Sequence, residues 1–345
     1  MCGGLSKLIV LSLFDGISCG QVALERAGIK VDKYYVSEIE KASIIVTQKN
    51  YPNTIQLGDI NNWKEWNIEK PDLILAGSPC QGFSFAGKQL NFNDPRSKLF
   101  FTFVDILKYY KPKYFLLENV KMKKEYKEVI SEKLGEVYPD CIKKFVLFGK
   151  VGLEPILINS SLVSAQNRER LYWTNIKRIK QPKNKKIILK DILEKNVDIK
   201  YNFKEKEKNS MILHKNKELL KGNGFGFSIF DLNKKSNCLT ASSLKENIIN
   251  INRCIQIGKV DNDSKFEMNN RIYSIQGKSP TSCTNNNIKI ENENDTWRRL
   301  TPVECERLQT ISDNYTFGVS DNARYKMLGN GWTVDVITHI LSYIK

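Results

Sequence analysis

Cys80 lies in "GSPCQGFSFAGK" (77–88), between a proline and a glutamine and just past the apolar run "PDLILA". A thiol presented by a turn at the end of a buried strand has the placement of a nucleophile. A lone cysteine is also, most often, a small buried hydrophobe, so its neighbours must decide. Four carboxylates stand in comparable places. Asp15 follows "KLIVLSLF" (7–14), Glu38 ends "KYYVSE" (33–38), Asp59 ends "TIQLGD" (54–59) and Glu118 lies in "YFLLEN" (114–119).

These groups share a structural address. The first 120 residues repeat one grammar, a short apolar strand that ends in a polar residue and is followed by a helical pattern, which predicts a parallel sheet flanked by helices. "DLILAG" (72–77) supplies the strand before Cys80. Between strands, "GQVALERAG" and "KASIIVTQKN" read as helices, and "SKLFFTFVDILKYYKP" as an amphipathic helix that stops before Pro112. Asp15, Glu38, Asp59, Cys80 and Glu118 therefore fall at the carboxyl ends of five successive strands, the edge where open α/β sheets bind ligands.

The amino-terminal end of this plan suits an adenosine ligand. In "LFDGISCGQVALERAGI" a glycine turn joins strand to helix, and Glu38 follows Gly20 by 18 residues, placed to accept from ribose hydroxyls. The turn departs from G-x-G-x-x-G, and Asp15 makes the pocket acidic, which favours a cofactor carrying positive charge over one carrying phosphates. S-adenosyl-L-methionine, with its sulfonium and ammonium, is such a cofactor, and Asp59 is placed to accept from its adenine amino group. Each acid taken alone could equally cap a helix or turn.

Composition narrows the partners. The chain has 345 residues, 41% hydrophobic, enough for a large α/β domain and a smaller second one. Its formal charge of +16 favours a polyanion, nucleic acid above all. Residues 177–221 hold 15 Lys or Arg against 6 Asp or Glu, so this stretch alone supplies +9, either a nucleic-acid surface or a lysine-rich solvated one. The eight cysteines form no C-x-x-C pair and His214 and His339 form no cluster, so no metal site is expected. No apolar run nears the roughly 20 residues of a membrane helix, and a cytoplasmic protein is expected.

After residue 180 the grammar changes to short, turn-separated segments rich in Lys, Asn and Ser, which predicts a second domain. Within it "FSIFDLNKKSNCLTA" (227–241) and "YSIQGKSPTSCT" (273–284) share a pattern that is either chance or two similar hairpins. A helix over "TPVECERLQTI" (301–311) and a glycine turn leading into an apolar helix in "KMLGNGWTVDVITHILSYI" close the chain.

Taken in order, "LSLFDGISCG", "SEIE", "GDI", "GSPCQGFS", "LLENV", "AQNRERLYW", "LTPVECERLQ" and "LGNGWTV" resemble the motifs of the cytosine-C5 DNA methyltransferases, over about residues 8 to 342 with 180–295 unmatched. Ser18 and Cys19 make the first turn resemble the animal de novo enzymes, whereas "AQNRERLYW" resembles bacterial or phage members. The resemblance implies an α/β fold of the S-adenosyl-L-methionine-dependent methyltransferase (Rossmann-like) kind. That fold has a mixed, mostly parallel sheet with helices on both faces and a smaller β-rich target-recognition domain. It implies a catalytic domain over 1–180, a target-recognition domain and hinge over 181–319, and a segment returning to the catalytic domain over 320–345.

Carried over by position, the resemblance makes Cys80 the nucleophile that adds to cytosine C6, Glu118 the acid at N3 and the 4-amino group, and Arg170 the contact to O2. Arg168 becomes the arginine that supports it. Phe14, Asp15, Gly16, Ile17, Glu38, Ile39, Asp59, Ile60, Pro79 and Asn330 become cofactor contacts. The target base must be flipped from the duplex. "QGFSFAGK" then becomes a loop closing over double-stranded DNA, with Gln81, Ser84, Lys88, Arg96 and Lys98 facing it; Phe83 and Phe85 fit that role or plain packing equally.

A monomer is expected, in a bacterial or phage-infected cell where a cognate restriction endonuclease can accompany it. An RNA cytosine methyltransferase is the nearest rival, and a catalytically dead DNA-binding relative and a dinucleotide oxidoreductase are more distant ones. Two departures stand out. Ile311 and Ser312 replace a Phe-Pro pair, which bears on domain packing, and Gly331 and Trp332 replace Ser and a small apolar residue, which bears on the cofactor pocket.

Overall fold

A computed structural model describes residues 7–77, 95–147, 150–204, 206–210, 213 and 297–344, and within 228–290 residues 228–230, 234–236, 238, 247–250, 255–259, 271–274 and 289–290. Its centre is a seven-stranded sheet built from β1 (Leu8–Leu13), β2 (Val31–Ser37), β3 (Ile55–Gln56), β4 (Leu73–Ala76), β5 (Tyr114–Val120), β8 (Ile156–Asn159) and β9 (Glu169–Thr174), while β6 (Lys143–Leu147) and β7 (Lys150–Gly152) form a separate pair. The strand order is β3-β2-β1-β4-β5-β9-β8, with the first five parallel and β9 antiparallel to both of its neighbours. All five expected strands form. The order reverses between β1 and β4, and it is outside the carboxyl ends at such a switch point that open α/β sheets bind ligands. The residues after those two strands are Phe14–Gly16 and Gly77, which leads into "SPCQ".

Period-two alternation along the strands builds a core on each face. Val10, Leu73, Leu75 and Leu116 face one cluster with α1 (Cys19–Arg26), α2 (Lys41–Asn50) and the carboxyl-terminal helices α5 (Pro302–Leu308), α6 (Asp321–Asn330) and α7 (Val334–Leu341). Leu11, Leu13, Ile74, Ala76, Phe115 and Leu117 face the other, with α3 (Pro95–Tyr110) and α4 (Lys124–Val137). Helix α3 carries Phe100, Phe103, Val104 and Leu107 inward at helical spacing and stops at Lys111, whose φ of 44° ends the helix before Pro112.

The chain from 320 onward packs back on the first helix, and Arg26 of α1 pairs with Asp335 of α7 at 2.8 Å. Among the described residues beyond 180, two three-stranded sheets form, β10-β11-β15 (Ser228–Phe230, Asn247–Asn250, Trp297–Arg299) and β12-β13-β14 (Ile255–Lys259, Arg271–Ser274, Lys289–Ile290). The two similar stretches are not equivalent hairpins. One supplies β10, an edge strand parallel to β11, and the other reaches into β13, the central strand of its sheet and antiparallel to β12. No helix among the described residues is long and apolar enough to cross a membrane.

Candidate active site

The turn after β1 is bent through the left-handed region at Phe14 (φ 56°), Gly16 (φ 62°) and Ser18 (φ 57°). Such a conformation is cheap only for glycine, so an aromatic residue held there marks a turn fixed by its surroundings. Gly16 N–H donates to Glu38 Oε2 at 2.8 Å, while Ile39 and Glu40 N–H groups donate to Oε1, each at 2.8 Å. Glu38 therefore ties the ends of β1 and β2 together, and what remains of its roughly four acceptor positions is open to a ligand. Ile39 beside it is 71% exposed, an apolar side chain left in water at the rim of the switch point.

Asp15 is half-buried. Burial pushes its carboxyl up to about 6 against the opposing hydrogen bonds from Ser18 Oγ (2.5 Å) and the Tyr34 hydroxyl (3.1 Å). Asp59 caps a turn: its Oδ1 accepts from Asn61 N (2.9 Å) and Asn61 Nδ2 (2.8 Å), opening the short helix Ile60–Glu65. Ile60 is buried, and Ile17 is fully packed in the core, so neither side chain faces outward; Phe14 is half-buried and Asn330, the last residue of α6, is exposed.

On the other side of the switch point, antiparallel pairing of β5 with β9 sets Val120 opposite Arg170 and Glu118 opposite Tyr172. Glu118 and Arg170 are thus diagonal neighbours on one face, and Arg170 Nε meets Glu118 Oε1 at 3.1 Å with both side chains largely buried. Burial opposes the charge on Arg170, but Cys238 and Glu118 beside it outweigh that and hold its pKa above the usual value. Arg168, 3% exposed, donates to the carbonyls of Gly329 (3.1 Å) and Gly331 (3.0 Å), anchoring the carboxyl-terminal turn beside it.

Pro79, Cys80, Gln81, Ser84 and Lys88, with Phe83 and Phe85, lie outside the described residues, as does the Arg96 side chain. Lys98 is exposed in the first turns of α3. Every Lys and Arg from 177 to 200 is exposed as well, so the first half of the basic tract is a solvated cationic surface.

A family model for C-5 cytosine-specific DNA methylases matches residues 8–345. The chain belongs to that family. It is 30% identical to the type II methyltransferase M.HpaII of Haemophilus parainfluenzae over 96% of its own length and 87% of the relative's. It is 29% identical to the type II methyltransferase M.NlaX of Neisseria lactamica, covering 97% and 96% of the two chains. Among solved structures, the Entamoeba histolytica methyltransferase EhMeth shares the fold with a TM-score of 0.66 at 20% identity, covering 98% of each chain. The S. pombe Dnmt2 methyltransferase does so with 0.65 at 19% identity, covering 97% of this chain and 98% of the other.

Several residues that hold the methylase site together escape a reading for chemistry. Gln166 of "AQNRER", Gln309 of "ERLQ" and Thr333 of "GWTV" form one buried polar network. Gln166 Nε2 donates to Gln309 Oε1 (2.9 Å) and Leu308 O (2.8 Å), and Thr333 Oγ1 donates to Gln309 Oε1 (3.0 Å). Their signal was a polar residue inside each otherwise apolar or charged motif. Trp332, 8% exposed, lies so close to Gly77 that a Cβ there would stand 2.8 Å from its Nε1. The Trp332 backbone N–H reaches the sulfur of Cys19, whose thiol burial pushes up to about 12. The Trp332 side chain therefore packs against the end of the strand that leads to Cys80, while its main chain holds the start of the first helix.

Proposed function

We propose that this methylase transfers a methyl group from S-adenosyl-L-methionine to C5 of a cytosine flipped out of double-stranded DNA, through a covalent adduct between Cys80 and C6. The observation that carries the reading is the Glu118–Arg170 pair, a carboxylate and a guanidinium held side by side next to the strand that runs into "SPCQ". Two acids, one crowded and one knit into the turn, an exposed Ile39 and the Gly16 turn fit a cofactor with an adenosine and a positively charged amino-acid end. Glu38 and Asp15 would hold it, with Phe14 and Ile39 against the adenine and Asn330 at the edge; bound there, it would supply an electrophilic methyl group.

Cytosine C5 is too weak a nucleophile until the ring is activated. In this reading the Cys80 sulfur forms the bond to C6 and the C5–C6 electron pair moves toward C5 and N3. Glu118 shares a proton with N3, and Arg170 at O2 stabilises the same charge. After C5 is alkylated, removal of its proton restores the double bond and Cys80 leaves by β-elimination, with water as the simplest proton acceptor. Lys98 and the cationic stretch 177–200 suit phosphates, and residues 181–319 suit the domain that reads base edges. A monomer in the cytoplasm, with or without a cognate endonuclease, suffices for this activity.

The test is incubation with a duplex carrying 5-fluorocytosine and S-adenosyl-L-methionine, because fluorine blocks the elimination. Wild type is expected to form a denaturation-resistant adduct and Cys80→Ala none. No adduct with wild type would falsify the enzyme reading, and faster labelling of tRNA than of DNA would move the substrate to RNA.

A further inference from the structure

Arg170 is pinned at three points. Its Nε meets Glu118, its Nη1 donates to Glu169 O at 2.8 Å, and its Nη2 reaches Cys238 Sγ at 3.4 Å. The third contact comes from a residue 68 positions away in the segment unmatched by the family motifs. The same sulfur accepts from Arg168 Nη1 at 3.2 Å, so it bridges both arginines of "QNRER".

This sulfur is delivered by a built connection. Ser236, fully buried, pairs with Gln166 in a parallel bridge in which Ser236 N–H donates to Ala165 O (2.7 Å) and Asn167 N–H donates to Ser236 O (2.8 Å). Lys235 Nζ donates to Ser164 O at 2.8 Å and also to Ile187 O. Leu189 N–H donates to Lys234 O at 2.7 Å, so the segment is held from both sides. Residues 234–236 thus lie beside the entry to β9, and Cys238 places a thiol across its two guanidiniums.

We infer that Cys238 is a positioning residue, which holds the Arg170 guanidinium in the plane that faces the Glu118 carboxylate and so couples docking of the variable segment to the geometry of the reacting centre. This rests on the reading of Arg170 as the contact to the base. A guanidinium fixed at Nε and Nη1 alone can still tilt out of that plane, and the sulfur blocks the tilt from the third corner. Its large radius lets one acceptor serve two forks at once, which a hydroxyl does less well and a methyl not at all. Small displacements of positioning groups carry large rate penalties because they act only on the oriented state.

The experiment is steady-state methylation of unmethylated phage DNA by the full chain with labelled S-adenosyl-L-methionine. Cys238→Ala is expected to lower kcat by about 10- to 100-fold with the KM for DNA changed by less than about 3-fold. Cys238→Ser should recover most of the rate, and Cys238→Val, similar in size but without an acceptor, should not. In an Arg170→Lys background, which has already lost the fork, Cys238→Ala should change kcat by less than about 2-fold, since the two act as one unit. Wild-type kcat in Cys238→Ala, equal loss in the Ser and Val variants, or multiplicative losses with Arg170→Lys each overturn the inference. If Arg170→Lys itself keeps the wild-type kcat, it is the base-contact reading of Arg170 that fails.

Discussion

Replacing Gly77 by alanine tests whether Trp332 sets the position of the strand that leads to Cys80. The added Cβ would stand 2.8 Å from Trp332 Nε1 and 3.3 Å from Cε2 and Cζ2, where ordinary contact begins near 3.4 Å, so something must move by about 0.6 Å. The indole has little room to give. The backbone that carries it is held, since the Trp332 main-chain N–H reaches the Cys19 sulfur and the preceding carbonyl of Gly331 accepts from Arg168 at 3.0 Å and from Gln309 at 3.2 Å. Gly77 is tethered too, through its N–H to Leu13 O at 3.4 Å. Overpacking of a dense site costs about 1–3 kcal/mol, and contact with three atoms of a rigid ring places this one near ~2 kcal/mol.

That strain can appear in stability or in the placement of "SPCQ", so both are measured, by urea unfolding and by the rate of 5-fluorocytosine adduct formation. Trp332→Val alone leaves a cavity and should cost roughly 2–4 kcal/mol. Added to Trp332→Val, however, Gly77→Ala fills space instead of colliding, and its penalty should vanish, giving a coupling of about 2 kcal/mol. A Gly77→Ala variant within about 0.5 kcal/mol of wild type and at the wild-type trapping rate would refute the reasoning. So would the same penalty in both backgrounds.

Two further outcomes follow from buried charge. Glu304, fully buried, takes a fork-to-fork pair from Arg298 at 2.8 Å on each oxygen and also accepts from the N–H groups of Thr301 (2.8 Å) and Glu194 (2.9 Å). Glu304→Ala strands the Arg298 guanidinium and should cost about 3–5 kcal/mol in urea unfolding, with Arg298→Met/Glu304→Leu recovering part of it. Asp15 has its folded pKa raised from 3.8 to about 6, so the folded state binds the proton more tightly and Asp15 favours folding least above pH 6. Asp15→Asn should therefore raise the unfolding free energy at pH 8, by at most about 3 kcal/mol, and leave it nearly unchanged below pH 3.8. In calorimetry, wild-type affinity for S-adenosyl-L-methionine should weaken as pH falls through 6, a dependence absent from the variant.

The parallel half of the fold was legible because its rule is local. Strands such as "DLILAG" announce themselves by apolar runs and polar ends, and five of these ends in a row locate the ligand edge without any tertiary information. What stayed hidden is what depends on contacts between distant segments. Whether Asp59 caps a turn or faces a ligand depends on Asn61 and its backbone, and "GDINN" is compatible with both. Glu38 looked like a ligand group and is also a tie between β1 and β2. Nothing local in "SNCLTA" points to the arginines of "QNRER", and the likeness of 227–241 to 273–284 left chance and paired hairpins open because short patterns do not specify which strand pairs with which.

The contacts divide the site by the route its parts take to it. Asp15, Glu38 and Glu118 arrive on strand ends, where the sheet places them whatever the rest of the chain does. Arg168 and Arg170 enter on the antiparallel strand β9, and their guanidiniums are oriented by residues from elsewhere: Gly329 and Gly331 from the returning carboxyl-terminal segment, Cys238 from the variable one. A change in the variable segment therefore has a physical path to the arginines through Ser236 and Cys238, and a change in the last helices has one through Gly331. Glu118 lies on the first of these paths, through its 3.1 Å contact with Arg170. On the inference drawn for Cys238, substitutions at residues 234–236 and 238 act on the rate of reaction through the arginines of β9.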